Sequence, residues 1–185
     1  EFVIVFLDPL AGIACYSLIL VALLVQSAFI FEPRYRYLIV ALNLVPLVRL
    51  ISLSLPLFHL PQIYWYPAIY TPLLIAAVVT MRVIGLSPQQ VGLVSRGLPW
   101  QIIVPVVNPV PPGIVEYHIL KPQPLITNFS PGQIWLPAII LVFCTGFVEE
   151  LIFRGVLQQT AEQAMGRIGL FYVSLIFAIL HIGFF

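Results

Sequence analysis

Residues 146–181 read GFVEELIFRGVLQQTAEQAMGRIGLFYVSLIFAILH, and the organisation of the chain follows from them. Glu149, Glu150 and Arg154 stand inside one apolar run, and His181 stands inside the next. A charge at mid-bilayer costs at least ~2.5 kcal/mol, so ionisable groups in such runs read as functional by default. Glu150 and Arg154 are four positions apart and share a helical face, where they can pair. Glu149 is turned roughly 100° away and lacks that partner. One carboxylate is then held ionised by the guanidinium, while its neighbour is free to take and give a proton. If the runs form an antiparallel helix pair through a polar turn at 158–167, Glu149 and His181 lie at similar depth. Each is sixteen residues from Met165, about 24 Å of helix at 1.5 Å per residue. A carboxylate beside an imidazole in a dry pocket can activate water. Gly146 and Gly155 flank the acidic pair, and small residues there allow close helix approach.

The composition fits this setting. Of 185 residues, 61% are hydrophobic and 8% charged, with a mean hydropathy of +1.08. Soluble domains carry roughly 25% charged residues, so the chain reads as an integral, multi-pass membrane protein in contact with lipid. A net charge of +1 without any basic run argues against a nucleic-acid partner. Cys15 and Cys144 both fall in apolar runs and imply neither a disulfide framework nor a metal cluster.

Outward from the motif pair, the pattern predicts an all-α, polytopic fold of about six apolar segments, 10–31, 38–57, 63–84, 101–120, 135–157 and 168–185. They form a single membrane domain, 1–185, with 134–185 as the motif-bearing hairpin. Asp8 and Pro9 mark the boundary of the first span, and Glu32 to Tyr37 reads as a charged, aromatic interfacial loop. Arg49 lies inside the second span, either as a pathway residue or, preferably, packed against backbone carbonyls or snorkelling. His59 reads as interfacial. Tyr64, Trp65 and Tyr66 open the third span as an aromatic belt. Segment 85–100 reads as a short amphipathic interfacial helix, with Ser87 as N-cap, Val91, Val94 and Leu98 inward and Arg96 outward. Pro105, Pro109, Pro111, Pro112 and Gly113 would interrupt a helix over 101–120, which is therefore a broken or re-entrant segment. Glu116 and His118, two apart, read as rim residues, with a metal-ligand role as the alternative. Residues 122–132 read as an exposed loop holding the glycosylation-type triplet Asn128-Phe129-Ser130.

Two motifs carry a resemblance. Glu149-Glu150-Leu-Ile-Phe-Arg154 matches the EExxxR pattern of the CPBP intramembrane proteases, the CAAX-protease and bacteriocin-processing family with its abortive-infection-like members. Phe177-Ala-Ile-Leu-His181 matches the same family's FxxxH pattern. The resemblance implies an intramembrane endopeptidase acting on a peptide or protein at the membrane, lipidated substrates included. It implies Glu149 as general base and His181 as the group that holds and polarises the attacking water. Glu150 and Arg154 would keep the pocket arranged, and Phe177 would pack beside the histidine. The family has also been discussed as zinc-dependent. Glu149 and His181 offer at most two ligands where a catalytic zinc usually has three, so a metal-independent glutamate protease is the preferred expectation and zinc the alternative. The family's third motif, HxxxN or HxxxD on a later span, has no match here, and a longer parent, truncated at the C-terminus, is expected to supply it.

Other classes stay open at this stage: an ion network that only locks helix register, a non-catalytic immunity or scaffold protein, and a transporter using the broken segment. If 101–120 crosses the membrane, Arg34, Arg36, Arg82, Arg96 and Arg167 share one side against Lys121. The positive-inside rule then makes the arginine side cytoplasmic, in a prokaryotic plasma membrane.

Overall fold

Lipid cannot hydrogen-bond the backbone, so a spanning chain must satisfy its amides internally. Accordingly, the computed structural model, which describes residues 1–6, 8–55, 59–94, 110–121 and 130–182, is built of helices with no strand among the described residues. Helix α1 (Phe2–Phe6) leads into α2 (Pro9–Phe29), where Asp8 caps the helix by accepting from the Ala11 amide at 2.9 Å. Pro9 stands in the first turn, where an amide hydrogen is not needed. The helix exposes Leu10, Leu18, Val21, Leu24 and Val25 along its outer faces, as a lipid-facing element should.

Helices α3 (Pro33–Leu42) and α4 (Leu44–Ser54) make one apolar span, Pro33–Ser54, broken at Asn43. The break has a local cause. The Asn43 side-chain amide donates to the carbonyls of Ile39 (2.8 Å) and Val40 (3.2 Å), competing with the helix ladder. Pro46, one turn on, has no amide hydrogen to offer the Leu42 carbonyl. The expected loop at Glu32 to Tyr37 is instead helical from Pro33 onward, because Pro33 is pre-set for a first turn. Its charges still look interfacial: Arg34 pairs with Glu32 at 3.0 Å and lies over the Tyr35 ring.

A short 3-10 turn at Gln62–Tyr64 opens α5 (Trp65–Ile84), which returns alongside α4 and closes on Gly85 in the left-handed region (φ 75°). The interfacial helix expected over 85–100 is described as far as residue 94. There it makes one turn in which the Ser87 hydroxyl and the Gln90 side chain cap each other's amides. Gly92, at φ 83°, closes that turn, and Arg96 and Leu98 lie outside the described residues. Of the broken segment, 101–109 lies outside them too, as do 122–129 with Asn128 and Phe129. The rest forms α6 (Val110–Leu120), which Pro111 and Pro112 start rather than interrupt, since both sit in its first turn.

The motif helix α7 runs unbroken over 131–165, past the polar turn expected at 158–167. Its last stretch, Gln158–Met165, is amphipathic: Thr160, Ala161 and Ala164 are buried, while Gln158 bonds Glu162 at 2.7 Å on the outside. The reversal is confined to Gly166 and Arg167, with Gly166 at φ 62°, and α8 (Ile168–His181) folds back along α7. Val173 and Leu180 face inward from α8, whereas Phe171, Leu175 and Ile179 face out. The core therefore centres on Ile152, Val156, Leu157 and Ala161 of α7, packed with Leu73 and Ala77 of α5 and Ala41 and Leu44 of the α3–α4 span. Among the described residues, four helical stretches are long and apolar enough to cross a membrane: Pro9–Phe29, Pro33–Ser54, Gln62–Ile84 and Gln133–Met165. This is an integral membrane protein.

Arg34, Arg36, Arg82 and Arg167 gather at one end of the bundle. The start of α3, the end of α5 and the α7–α8 turn meet there, since 158–165 packs against α3. The hairpin depends on a close approach at Gly169. A Cβ there would lie 2.5 Å from the Ala161 carbonyl carbon and 2.7 Å from the Glu162 nitrogen. Gly169→Val should therefore push the two helices apart at a cost of about 1–3 kcal/mol. Thermal denaturation in detergent should show a clear fall in melting temperature, and an unchanged value would contradict the packing.

Candidate active site

Glu149 sits where α7 departs from regular geometry. Leu141–Phe147 and Leu151–Leu157 are wound as π-helix on either side of the short α-helical stretch Val148–Glu150. Wider turns of the i→i+5 kind turn later side chains back relative to a regular helix, and they occur frequently at functional sites. Glu149 is half-buried and points toward α5, where its carboxylate accepts a hydrogen bond from the Tyr70 hydroxyl. Glu150, next to it, is exposed and receives the Arg154 guanidinium at 2.7 Å, across one helical turn. The two carboxylates thus have different partners, one a neutral hydroxyl and the other a cation.

His181 ends α8. Its Nδ1 lies 2.8 Å from the Phe177 carbonyl oxygen. A carbonyl can only accept, so Nδ1 carries the proton, and in the neutral ring Nε2 is the lone-pair nitrogen. The Phe177 ring sits beside the imidazole, centroids 4.3 Å apart, and meets Phe153 of α7 edge-on at 5.0 Å. An aromatic wedge therefore joins the two motif helices next to the histidine.

Glu149 and His181 line one cavity of about 320 Å³, together with Arg49, Ser52, Gln62, Tyr66 and Tyr70. Most of its wall comes from the end of α4, the start of α5 and the end of α8, so it lies in the half of the bundle away from the arginine cluster. A second cavity of about 330 Å³ runs between α7 and α8 past Glu149, Glu150, Arg154, Ser174 and Phe177. A third, about 500 Å³, continues from Glu150 and Arg154 to the 90–93 turn. That turn reaches α7 because Gly155 leaves room: a Cβ there would be 3.2 Å from the Val91 carbonyl oxygen. Gly155 thus admits a turn, not a helix, and Gly146 lines the second cavity without a close neighbour from another element.

Arg49 is buried, at 8% exposure. Its Nη2 donates to the Leu180 carbonyl and its Nε to the Glu1 carboxylate. It is thus packed against a backbone carbonyl, as preferred from the sequence, yet it also belongs to the cavity of Glu149. Tyr70 was not singled out by sequence. The available signal was its place one helical turn beyond the belt residue Tyr66, where a phenol hydroxyl needs a buried partner. His59 and His118 are exposed, the latter against the Tyr117 ring. No three His, Cys, Asp or Glu side chains group together among the described residues.

Residues 131–185 match the family described as type II CAAX prenyl endopeptidase Rce1-like. No curated protein and no solved structure matches the chain. The matched stretch is less than a third of the chain, but it holds both motif helices, with Glu149, Glu150, Arg154, Phe177 and His181. Over residues 131–185 the chain is similar to that endopeptidase family, and the likeness falls on the stretch that carries both motifs.

Proposed function

We propose that the protein is an intramembrane endopeptidase in which Glu149 and His181 activate one water molecule against a peptide bond. The observation that carries this reading is the shared cavity: a carboxylate and an imidazole from antiparallel helices open into the same space. In the reaction, Glu149 takes a proton from water as the oxygen attacks the peptide carbonyl carbon. His181, through Nε2, holds and orients that water. The tetrahedral intermediate collapses with cleavage of the C–N bond, and the proton on Glu149 passes to the departing amine. Glu150 and Arg154 keep the neighbouring wall polar and fixed, while Phe177 sets the imidazole against α7. No step is assigned to zinc. The substrate is a peptide or protein presented at the membrane, lipidated ones included.

General acid–base groups contribute about 10²–10⁴ in rate. In full-length protein purified in detergent, Glu149→Gln should lower peptide cleavage by about 10²-fold or more, with His181→Ala also strongly impaired. Cleavage that survives chelation supports the route above, and loss on chelation with rescue by zinc replaces it with a metalloprotease. An unmutated protein that cleaves nothing across a broad library, prenylated tails included, favours a scaffold or immunity role.

The arginine-rich end is assigned to the cytoplasm by the positive-inside rule, which puts the Glu149 cavity nearer the opposite surface. With Cys15 and Cys144 replaced by serine, an impermeant maleimide applied to intact cells should label Leu60→Cys and spare Arg34→Cys. The reverse pattern would invert the orientation.

A further inference from the structure

We infer that two residues from the first half of the chain, Tyr70 and Arg49, are positioning residues for Glu149 and His181. This rests on the enzymatic reading above and deepens it. The two reacting side chains come from α7 and α8, yet each is tied to a helix far back in sequence. The Tyr70 hydroxyl of α5 donates to one oxygen of Glu149, across a separation of 79 residues. Arg49 of α4 donates to the carbonyl of Leu180, the residue before His181, across 131.

The chemistry of the two ties suits their places. A carboxylate offers two oxygens, and Tyr70 engages one of them. When Glu149 takes a proton on the other, the first becomes a carbonyl-type oxygen and still accepts from the tyrosine. The bond therefore fixes the carboxyl plane through the whole proton cycle without competing for the catalytic proton. A guanidinium partner, such as Glu150 has in Arg154, would lose its ionic attraction at that moment. Arg49 acts one level further out. Within α8 the imidazole is already oriented by its Nδ1 bond to the Phe177 carbonyl. Pinning Leu180 then fixes where that oriented ring stands relative to α4, α5 and Glu149. Arg49, Tyr70, Glu149, Leu180 and His181 all border the same cavity.

The test uses full-length protein in detergent and separates kcat from KM. Tyr70→Phe keeps the ring and removes the donor. It should lower kcat by about 10–100-fold, the range expected for a misplaced reacting group, with KM within about twofold. Added to Glu149→Gln, it should cause no further loss, since both act through one group. Arg49→Gln and Arg49→Met remove the same charge at similar size, but only glutamine can donate to the Leu180 carbonyl. At matched melting temperatures, R49Q should turn over faster than R49M.

A second readout does not need turnover. The infrared carboxylate band that disappears in E149Q should shift in Y70F. Loss of activity in E149Q, with Y70F at the wild-type kcat, its band unmoved and R49Q equal to R49M, overturns the positioning role alone. Full activity in E149Q overturns the enzymatic reading and the inference that rests on it.

Discussion

A polar group taken out of water must find its partner inside the protein, and the arrangement of this molecule follows from that constraint. Its outer surface is apolar, with Leu18 and Val21 of α2 or Phe171 and Leu175 of α8 turned outward. Thr160, Arg49 and Tyr70 are satisfied there in distinct ways. Thr160 bonds back to the carbonyls of Val156 and Leu157, each at 2.9 Å, so its hydroxyl is closed within its own helix. Arg49 reaches a different helix, and Tyr70 reaches Glu149. The first kind of bond asks nothing of the fold. The second kind exists only when α4, α5, α7 and α8 are in register, so these bonds specify the bundle as well as stabilise it.

Glycine sets how closely those helices meet. Gly166 supplies the reversal that leaves only two residues between α7 and α8, and Gly169 lets the returning backbone touch Ala161 and Glu162. A tight turn leaves little freedom in the relative depth of the two helices. Glu149, in the helix that ends at Met165, and His181, in the helix that starts at Ile168, reach the same cavity from opposite chain directions.

That the two helices pair could be read from the sequence because a short helical hairpin returns the chain alongside itself. The i, i+4 pairing of Glu150 with Arg154 was also legible, as was the N-terminal boundary at Asp8 and Pro9. Contacts between helices distant in sequence were not legible. Nothing in the residues around Tyr70 indicates which of several spans its hydroxyl will meet, and Arg49 could be assigned a carbonyl partner without naming Leu180. Two boundaries differ from the sequence pattern for a local reason. Pro33 reads as part of a loop, although proline is at home in a first turn. Gln158–Met165 reads as a turn because it is polar, although its buried Thr160, Ala161 and Ala164 recur at helical spacing. Polarity in a membrane chain marks the end of lipid contact and does not mark the end of a helix.

The neighbouring glutamates show how one helix can give chemically equivalent side chains different tasks. Glu150 turns to the outer cavities and meets a guanidinium, which holds its charge in place. Glu149 turns inward and meets a hydroxyl. An ionic partner is strongest when the carboxylate is charged and loses most of its attraction once the carboxylate is neutral. A hydroxyl partner serves both states of the carboxyl group. A residue that must alternate between them is therefore better held by Tyr70 than by a second Arg154. On this argument the one-residue step from Glu149 to Glu150, which rotates the side chain from α5 toward the outer cavities, separates a group suited to proton transfer from one suited to fixed charge.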